Sequence, residues 1–384
     1  MKRLVVIGAG PMGLEAALLG VERGYQVTVL ERGRVGESLR DWGRVRFFTP
    51  FAMNASARAR ALLGPAGPKD AELLTGPEMI ERVLRPLSES APLAGKVHTQ
   101  AQVVAVGRAR TLRRDLPKNP LRAGRPFRIL YEQGGEERVV EAELVLDASG
   151  VTRPTYLGVG GQPALGERQV NLHRSLGALE RALPGWAGRR VMLVGHGHSA
   201  AHAIAWLAEL VQAAPGTTVS WVVRSQSARP CVEVASDPLP ERAATVRRAN
   251  ELAAAPPPWL TVLRKAQVES IRGAGPYQVG LSGARTLEVE GIVGLTGYRP
   301  ELEHLSELPL ELSAVTEGAR GIQQALANVT DCLKAPALSP KDLESGEPGF
   351  YLIGQKAYGR MTAFLLENGR AQVETIFQMV GAEK

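Results

Sequence analysis

Cysteine is nearly absent from this chain: Cys231 and Cys332 are the only two in 384 residues. Their separation excludes a C-x-x-C redox pair, a zinc-ligand spacing and a disulfide framework, and two free thiols predict a reducing, cytoplasmic setting. Long apolar runs are also missing. No stretch of about 18 uninterrupted apolar residues exists, so no membrane span is predicted. The short run in MKRLVVIGAG continues into Gly-x-Gly rather than a cleavage-site pattern, and reads as a strand. Blocks of like charge are lacking too. Lys and Arg number 46 against 39 Asp and Glu, a formal net charge of +7, but the arginines are scattered, which argues against a nucleic-acid surface. What remains is the composition of an ordinary globular protein, 44% hydrophobic and 22% charged. Such a length accommodates about two or three domains, each with its own core.

Glycine, by contrast, is placed with a pattern. Leu4 to Gly8 is a β-branched and apolar run that stops at G-A-G-P-M-G, and Leu14 to Gly20 then reads as helical. In such a strand–turn–helix unit Gly8 permits the turn, Gly10 lets backbone approach a pyrophosphate, and Gly13 allows close helix-to-strand packing. Pro11 and Met12 lie at the helix start, where free N–H groups favour an anion. A second strand, Gln26 to Leu30, ends at Glu31 and Arg32, where an acid accepts hydrogen bonds from ribose hydroxyls. The unit predicts a dinucleotide site.

The pattern recurs in mid-chain. Arg190 to Val194 is a short apolar strand followed by G-H-G-H-S-A, so Gly195, Gly197, His198, Ser199 and Ala200 form a second loop, and Ala203, Ile204, Leu207 and Leu210 continue as a helix. Ala200 replaces the third glycine. The next strand, Thr218 to Val223, ends in Arg224 rather than an acid, with Arg229 nearby. Arginine there suits a 2′-phosphate, so NADPH is favoured while NADH stays open. His198 and His202 have the i, i+4 spacing of a metal pair, but no acid stands between them and the turn already has a phosphate to bind, so no metal is predicted. Two nucleotide units in one chain make chemical sense if one cofactor is held and the other delivers a hydride to it.

At this point the sequence resembles the two-dinucleotide-binding-domain flavoproteins, which include thioredoxin reductase-like enzymes, flavin-containing monooxygenases and Baeyer–Villiger monooxygenases. AELVLDASG (Ala142–Gly150) is similar to the family's strand ending in Ala-Thr-Gly, which sets Ser149 and Gly150 near the cofactor, and GIVGLTGYRPE (Gly291–Glu301) to its partner. GFYLIGQKAYGR (Gly349–Arg360) resembles the last motif, with Gln355 where the family's acid holds the ribityl chain. The resemblance implies that the helical pattern Thr362–Val380 points its start, Thr362, at the flavin. It implies an α/β fold of two Rossmann-like, three-layer domains, the second inserted in the first: an FAD domain from residues 1–157 and 297–384, and an NAD(P)H domain from 158–296. The Pro-, Gly- and Arg-rich stretches 62–77 and 108–125 read as surface loops or hairpin insertions, and APPPW (Ala255–Trp259) as a turn.

The absence of a thiol pair excludes a thioredoxin-type redox centre. A single-thiol variant would use Cys231, whose alternative is a small buried hydrophobe. The segment Arg34–Ser56 points to oxygenation. Trp42 and the run Phe48, Pro50, Asn54 resemble the Gly-Gly-x-Trp and Tyr-x-Ser-x-x-x-Asn stretches of flavin-containing monooxygenases, although Phe48 and Pro50 replace the tyrosine and serine. By that match Asn54 hydrogen-bonds the flavin's reactive side or the substrate; as a plain residue it is a helix N-cap or turn former. The long signature that precedes the second fingerprint in that group is missing, with only His173 and Trp186–Arg190 echoing it. The expectation is an FAD-dependent NADPH oxidoreductase that oxygenates a small organic substrate at N, S or a ketone, with a possible homodimer. A reductase of a small disulfide, quinone or electron carrier and a non-enzymatic redox sensor are the alternatives.

Overall fold

The protein is described here as a computed structural model covering residues 1–115, 120–329 and 331–382. Its first sheet is wholly parallel. The strands are β1 (Arg3–Ile7), β2 (Gln26–Leu30), β3 (Val97–His98), then β7 (Leu144–Asp147) and the late β17 (Phe350–Leu352), in the spatial order β17-β7-β1-β2-β3. Leu4–Val6 and Leu144–Leu146 are unbroken apolar runs because these central strands are covered on both faces. The helices Pro11–Glu22 and Leu366–Ala382 pack together on one face, with Tyr25 edge-on to Phe377. On the other lies an antiparallel sheet of β4 (Ala101–Arg108), β5 (Phe127–Gln133) and β6 (Glu136–Ala142). The result is three layers.

From β7 the chain passes through β8 (Val151–Pro154) into a second unit. There β9 (Arg190–Val194), β10 (Thr218–Val222), β11 (Leu260–Leu263) and β15 (Gly291–Gly294) form a parallel sheet in the order β11-β10-β9-β15. Helices His198–Ala213 and Pro240–Ala254 pack on each other beside it, and an antiparallel meander, β12 (Val268–Arg272), β13 (Tyr277–Leu281) and β14 (Arg285–Val289), follows. The chain returns through β16 (Tyr298–Pro300), which pairs antiparallel with β8. The second domain is therefore inserted in the first, joined by a two-stranded connector. Among the described residues, no helix is long and apolar enough to cross a membrane.

Two stretches read as surface loops are more deeply used. Of the stretch 108–125, residues 116–119 lie outside the described residues; the rest lies between the antiparallel pair β4 and β5, but Arg108 and Arg122 are buried against Glu347, at 2.7 and 3.0 Å. A sequence cannot show that two loop arginines share one distant carboxylate. Residues 62–77 start exposed but end with Leu74 fully buried, its carbonyl accepting from Phe47 N–H. The last helix begins at Leu366 rather than Thr362. The reason is Phe364, which turns back onto Tyr358, 5.2 Å between centroids, and over Gly369 instead of continuing a helical stripe. Ala255–Trp259 is the expected turn, leading into β11.

Removing one partner of a buried ion cluster leaves uncompensated charge. Glu347→Ala is expected to destabilise the protein by about 3–5 kcal/mol, read as a fall in the urea midpoint of unfolding.

Candidate functional site

Both glycine loops lie at the carboxyl ends of parallel strands. In the first, Gly8 follows β1 at φ +100°, and a Cβ there would come 2.9 Å from the Ala148 carbonyl oxygen. A Cβ on Gly13 would come 1.9 Å from the Gly8 oxygen. These two glycines are required by the protein itself. Gly10, which caps the Pro11–Glu22 helix, is different: a Cβ there would meet nothing within 4 Å. The space beside it is open at a helix N-terminus, the position from which backbone N–H groups reach an anion. Pro11 occupies the first turn, where its missing N–H costs nothing. Met12 is buried and packs against Gly354 and Gly369, so its side chain belongs to the core that joins this helix to the C-terminal motif.

Glu31 staples the loop. One carboxylate oxygen accepts from Ala9 N–H and the other from Gly33 N–H, each at 2.8 Å. Each oxygen keeps a lone pair for a further donor. Arg32 is exposed and reaches Glu301 at 2.9 Å and Thr152 at 3.0 Å. Ser149 donates its N–H to Asp147, and Gly150 follows at φ +71°.

The second loop repeats the geometry with one relaxation. Gly195 has φ +123°, its carbonyl accepts from the Trp221 indole at 2.7 Å, and a Cβ there would lie 2.3 Å from the Leu295 oxygen. Gly197 caps helix His198–Ala213 and, like Gly10, would place a Cβ in open space. Ala200 is fully buried where the first loop needs glycine, its methyl packed in the core of the second unit. His198 and Ser199 form the first turn. Arg224 lies just past β10 and is exposed, whereas Arg229 pairs with Glu233 at 2.9 Å.

The segment Gly36–Phe48 bridges the two loops. Gly36 donates to the Ala9 carbonyl at 3.1 Å, and Phe48 stacks on His202 at 5.5 Å and stands edge-on to His198 at 5.4 Å. Trp42, within this bridge, is partly exposed and packs on Phe47 at 4.6 Å. Asn54 is the last residue of the short helix Phe51–Asn54, not an N-cap; that place is taken by Ser56 for the next helix. It is buried, and both ends of its amide are committed to Thr49: the Thr49 hydroxyl donates to Oδ1 at 2.7 Å and Nδ2 donates to the Thr49 carbonyl at 2.9 Å. Gln355 spends its Nε2 on the Gly359 and Met361 carbonyls, shaping its own turn, and Thr362 is exposed ahead of the last helix.

Burial holds His198 and His202 neutral. The His202 pKa falls to about 4 through burial and then through His198, and its Nε2 has no hydrogen-bond partner among the described residues. Among those residues no cluster of His, Cys, Asp and Glu could hold a metal ion. Cys231, expected as the better-placed thiol, is buried, and burial with Glu233 pushes its pKa up to about 11, which makes it inert. Cys332 is the more accessible of the two, with the Arg242 guanidinium 3.2 Å from its sulfur. Sequence reasoning also passed over Asp147, His304 and Lys356. The signal available was an acid closing the apolar strand L-V-L-D and a lysine within the largely apolar G-F-Y-L-I-G-Q-K-A-Y.

The glycine geometry separates two kinds of substitution. Gly13→Ala and Gly195→Ala, which collide with backbone, should each lose roughly 3 kcal/mol or more of stability, while Gly10→Ala and Gly197→Ala should stay within about 1 kcal/mol by thermal or urea unfolding. His202 supplies a pH signature. Its pKa drops from 6.5 to about 4 on folding, so the unfolded chain takes up the proton first, and this contribution to stability, complete above pH 6.5, is lost as pH falls toward 4. His202→Leu should flatten the decline in melting temperature between pH 7 and 5.

The sequence profile of the pyridine nucleotide-disulphide oxidoreductase family matches residues 5–71, which include the first glycine loop and the whole of the bridge. Among solved structures, the bacillithiol disulfide reductase of Bacillus cereus superposes with a TM-score of 0.71 at 18% identity, covering 100% of this chain and 99% of that one. The cadaverine monooxygenase of desferrioxamine biosynthesis from Erwinia amylovora, solved with FAD, gives 0.68 at 14% identity over 99% and 95%. The thioredoxin reductase of T. acidophilum gives 0.60 at 14% identity over 99% and 98%. The fold of this chain is that of the two-dinucleotide-binding-domain flavoproteins of the pyridine nucleotide-disulphide oxidoreductase and flavin monooxygenase type.

Proposed function

We propose that this protein is an FAD-dependent NAD(P)H oxidoreductase acting on a small molecule. The observation that carries the reading is the pair of open notches at Gly10 and Gly197, each at a helix N-terminus on its own parallel sheet and linked through Gly36–Phe48. A protein that needed these glycines only for packing would show neighbours crowding them, as at Gly8, Gly13 and Gly195. In this reading the first loop holds the FAD pyrophosphate, Glu31 accepts from its ribose, and Arg32, Ser149, Gly150 and Gln355 line the site. The second loop, with His198 and Ser199 in its first turn, takes the nicotinamide nucleotide, and Arg224 takes a 2′-phosphate. Bound there, the isoalloxazine ring would supply acceptance of a hydride and its onward transfer. We place the domain boundaries at the β8–β16 connector, close to residues 157 and 297, and give Leu157 to the inserted domain because it packs in that domain's core.

Two acceptors fit this frame. Monooxygenation at N, S or a ketone is supported by the Trp42–Asn54 segment, which lies between the two loops, and by the likeness to a monooxygenase fold. Reduction of a small external disulfide or quinone is supported by the burial of Asn54 and its two bonds to Thr49, which fix the amide in its own turn and leave it one N–H and one lone pair. The likeness to a bacillithiol disulfide reductase over the whole chain supports it too.

Purified protein should be yellow, and NADPH should bleach it without air. Arg224→Ala should raise the KM for NADPH by about tenfold and leave that for NADH nearly unchanged. Substrate-dependent oxygen uptake matched to NADPH consumption identifies the first acceptor; anaerobic turnover with an added disulfide or quinone identifies the second. Colourless protein that takes up no flavin would overturn the proposal.

A further inference from the structure

The end of β7 holds a charge cluster that the nucleotide reading does not use. Lys356 and Asp147 have fully buried side chains, with Nζ 3.4 Å from the Asp147 carboxylate. The same carboxylate receives His304 Nε2 at 2.9 Å and the Ser149 N–H at 2.9 Å. An ammonium has three donors and no acceptor. Here two of them go to the Ser149 hydroxyl, at 2.8 Å, and the Glu301 backbone carbonyl, and the third faces Asp147.

The placement of these partners is the informative part. Ser149 lies just ahead of β8, the strand that leaves for the inserted domain, and Glu301 lies just after β16, the strand that returns from it. The connector is short, with Pro154, Arg153 and Val151 paired to Tyr298, Arg299 and Pro300. Its other ties near this end are the exposed ion pairs of Arg32 with Glu301 and Arg153 with Glu303, which contribute little, and a part-buried hydrogen bond from the Thr152 hydroxyl to the Glu301 carboxylate at 2.8 Å. Lys356 is instead enclosed, and it stands next to Gln355 on the turn that follows β17. One buried ammonium thus grips the outgoing strand, the returning strand and the central sheet at a single point.

We propose that Lys356 is a positioning residue: it pins the two connector strands at their roots and so sets the angle at which the inserted domain presents its Gly195–Ala200 loop to the first domain. The part of this that concerns hydride transfer rests on the function proposed above. Transfer between two bound rings tolerates little misplacement, and a shift of about 1 Å can cost on the order of a hundredfold in rate. The pin matters for alignment, not for the binding of either nucleotide.

The test pairs two measurements on the full-length protein. The double variant Asp147→Asn/Lys356→Met removes the ammonium without stranding its counter-ion, and Ser149→Ala, which removes only the outgoing tie, is the milder companion. Hydrogen–deuterium exchange on protein as purified should be faster in peptides spanning residues 148–156 and 296–302 in both variants, more so in the double one, and unchanged in the Arg3–Leu30 unit. In stopped-flow reduction by NADPH, the limiting rate of flavin bleaching should fall at least tenfold in the double variant, with flavin content and NADPH affinity within about twofold of the parent. Unchanged exchange in the connector overturns the pin, and so does a rate that falls only in step with lost flavin. If the parent protein binds no flavin, the proposed function fails while the exchange experiment still decides the pin. Should the double variant not fold, connector exchange in Ser149→Ala decides the pin, faster exchange supporting it and unchanged exchange overturning it; its flavin content and reduction rate do not enter, because Ser149 also lines the proposed flavin site.

Discussion

The architecture depends on how closely one helix lies against one strand. At the end of β1, the Gly13 backbone sits so near the Gly8 carbonyl that no side chain fits between them. That approach brings the start of the Pro11–Glu22 helix over the edge of the sheet between β7 and β2, where the strand order reverses and open parallel sheets bind their ligands. Glu31 then ties the loop down from β2, and Met12 ties the helix to the C-terminal motif. A wider spacing would lose all three relations at once. The second loop has Ala200 at the corresponding place, and there the Trp221 indole ties the turn through the Gly195 carbonyl.

This local physics explains what could be read in advance. Apolar runs flanking Gly-x-Gly are set by neighbours in sequence, so both strand–turn–helix units are legible, while the inserted order of the domains follows from the family resemblance. Side-chain roles at the site are less legible. Gln355 and Asn54 stand in motifs that suggest contact with a ligand, yet their amides close their own turns, since a polar group at the end of a short helix finds a backbone partner before it finds anything else. Met12 sits inside the fingerprint but serves the core. The apolar spacing predicts a start for the last helix four residues early, because the spacing of Phe364 and Leu365 is the same whether the ring extends a stripe or folds back over a glycine.

Buried charge was the least legible layer. Glu347 meets Arg108 and Arg122 from more than two hundred positions away, and Lys356 meets Ser149 and Asp147 across a similar span. Sequence carries no period for such pairs. They share a physical logic, however: each joins elements that backbone pairing leaves separate, one tying the β4–β5 pair to the approach to β17, the other tying the connector to the central sheet. Burial makes each of them an all-or-none contact, because a partner withdrawn would leave charge stranded in a dry interior.

The bridge segment carries a structural consequence of its own. Val45 is buried in the hydrophobic core of the inserted domain, while Phe47, two positions on, is buried in the core of the first. A single extended stretch is thus stitched into both interiors, next to the Arg44 guanidinium that lies over the Trp206 ring at 4.6 Å. Any large swing of one domain against the other must first draw a valine out of an apolar interior, at a cost of about 1.5 kcal/mol or more. Val45 therefore acts as a detent, which lets the domains rest in a defined pose and makes departure from it a discrete, thermally activated event.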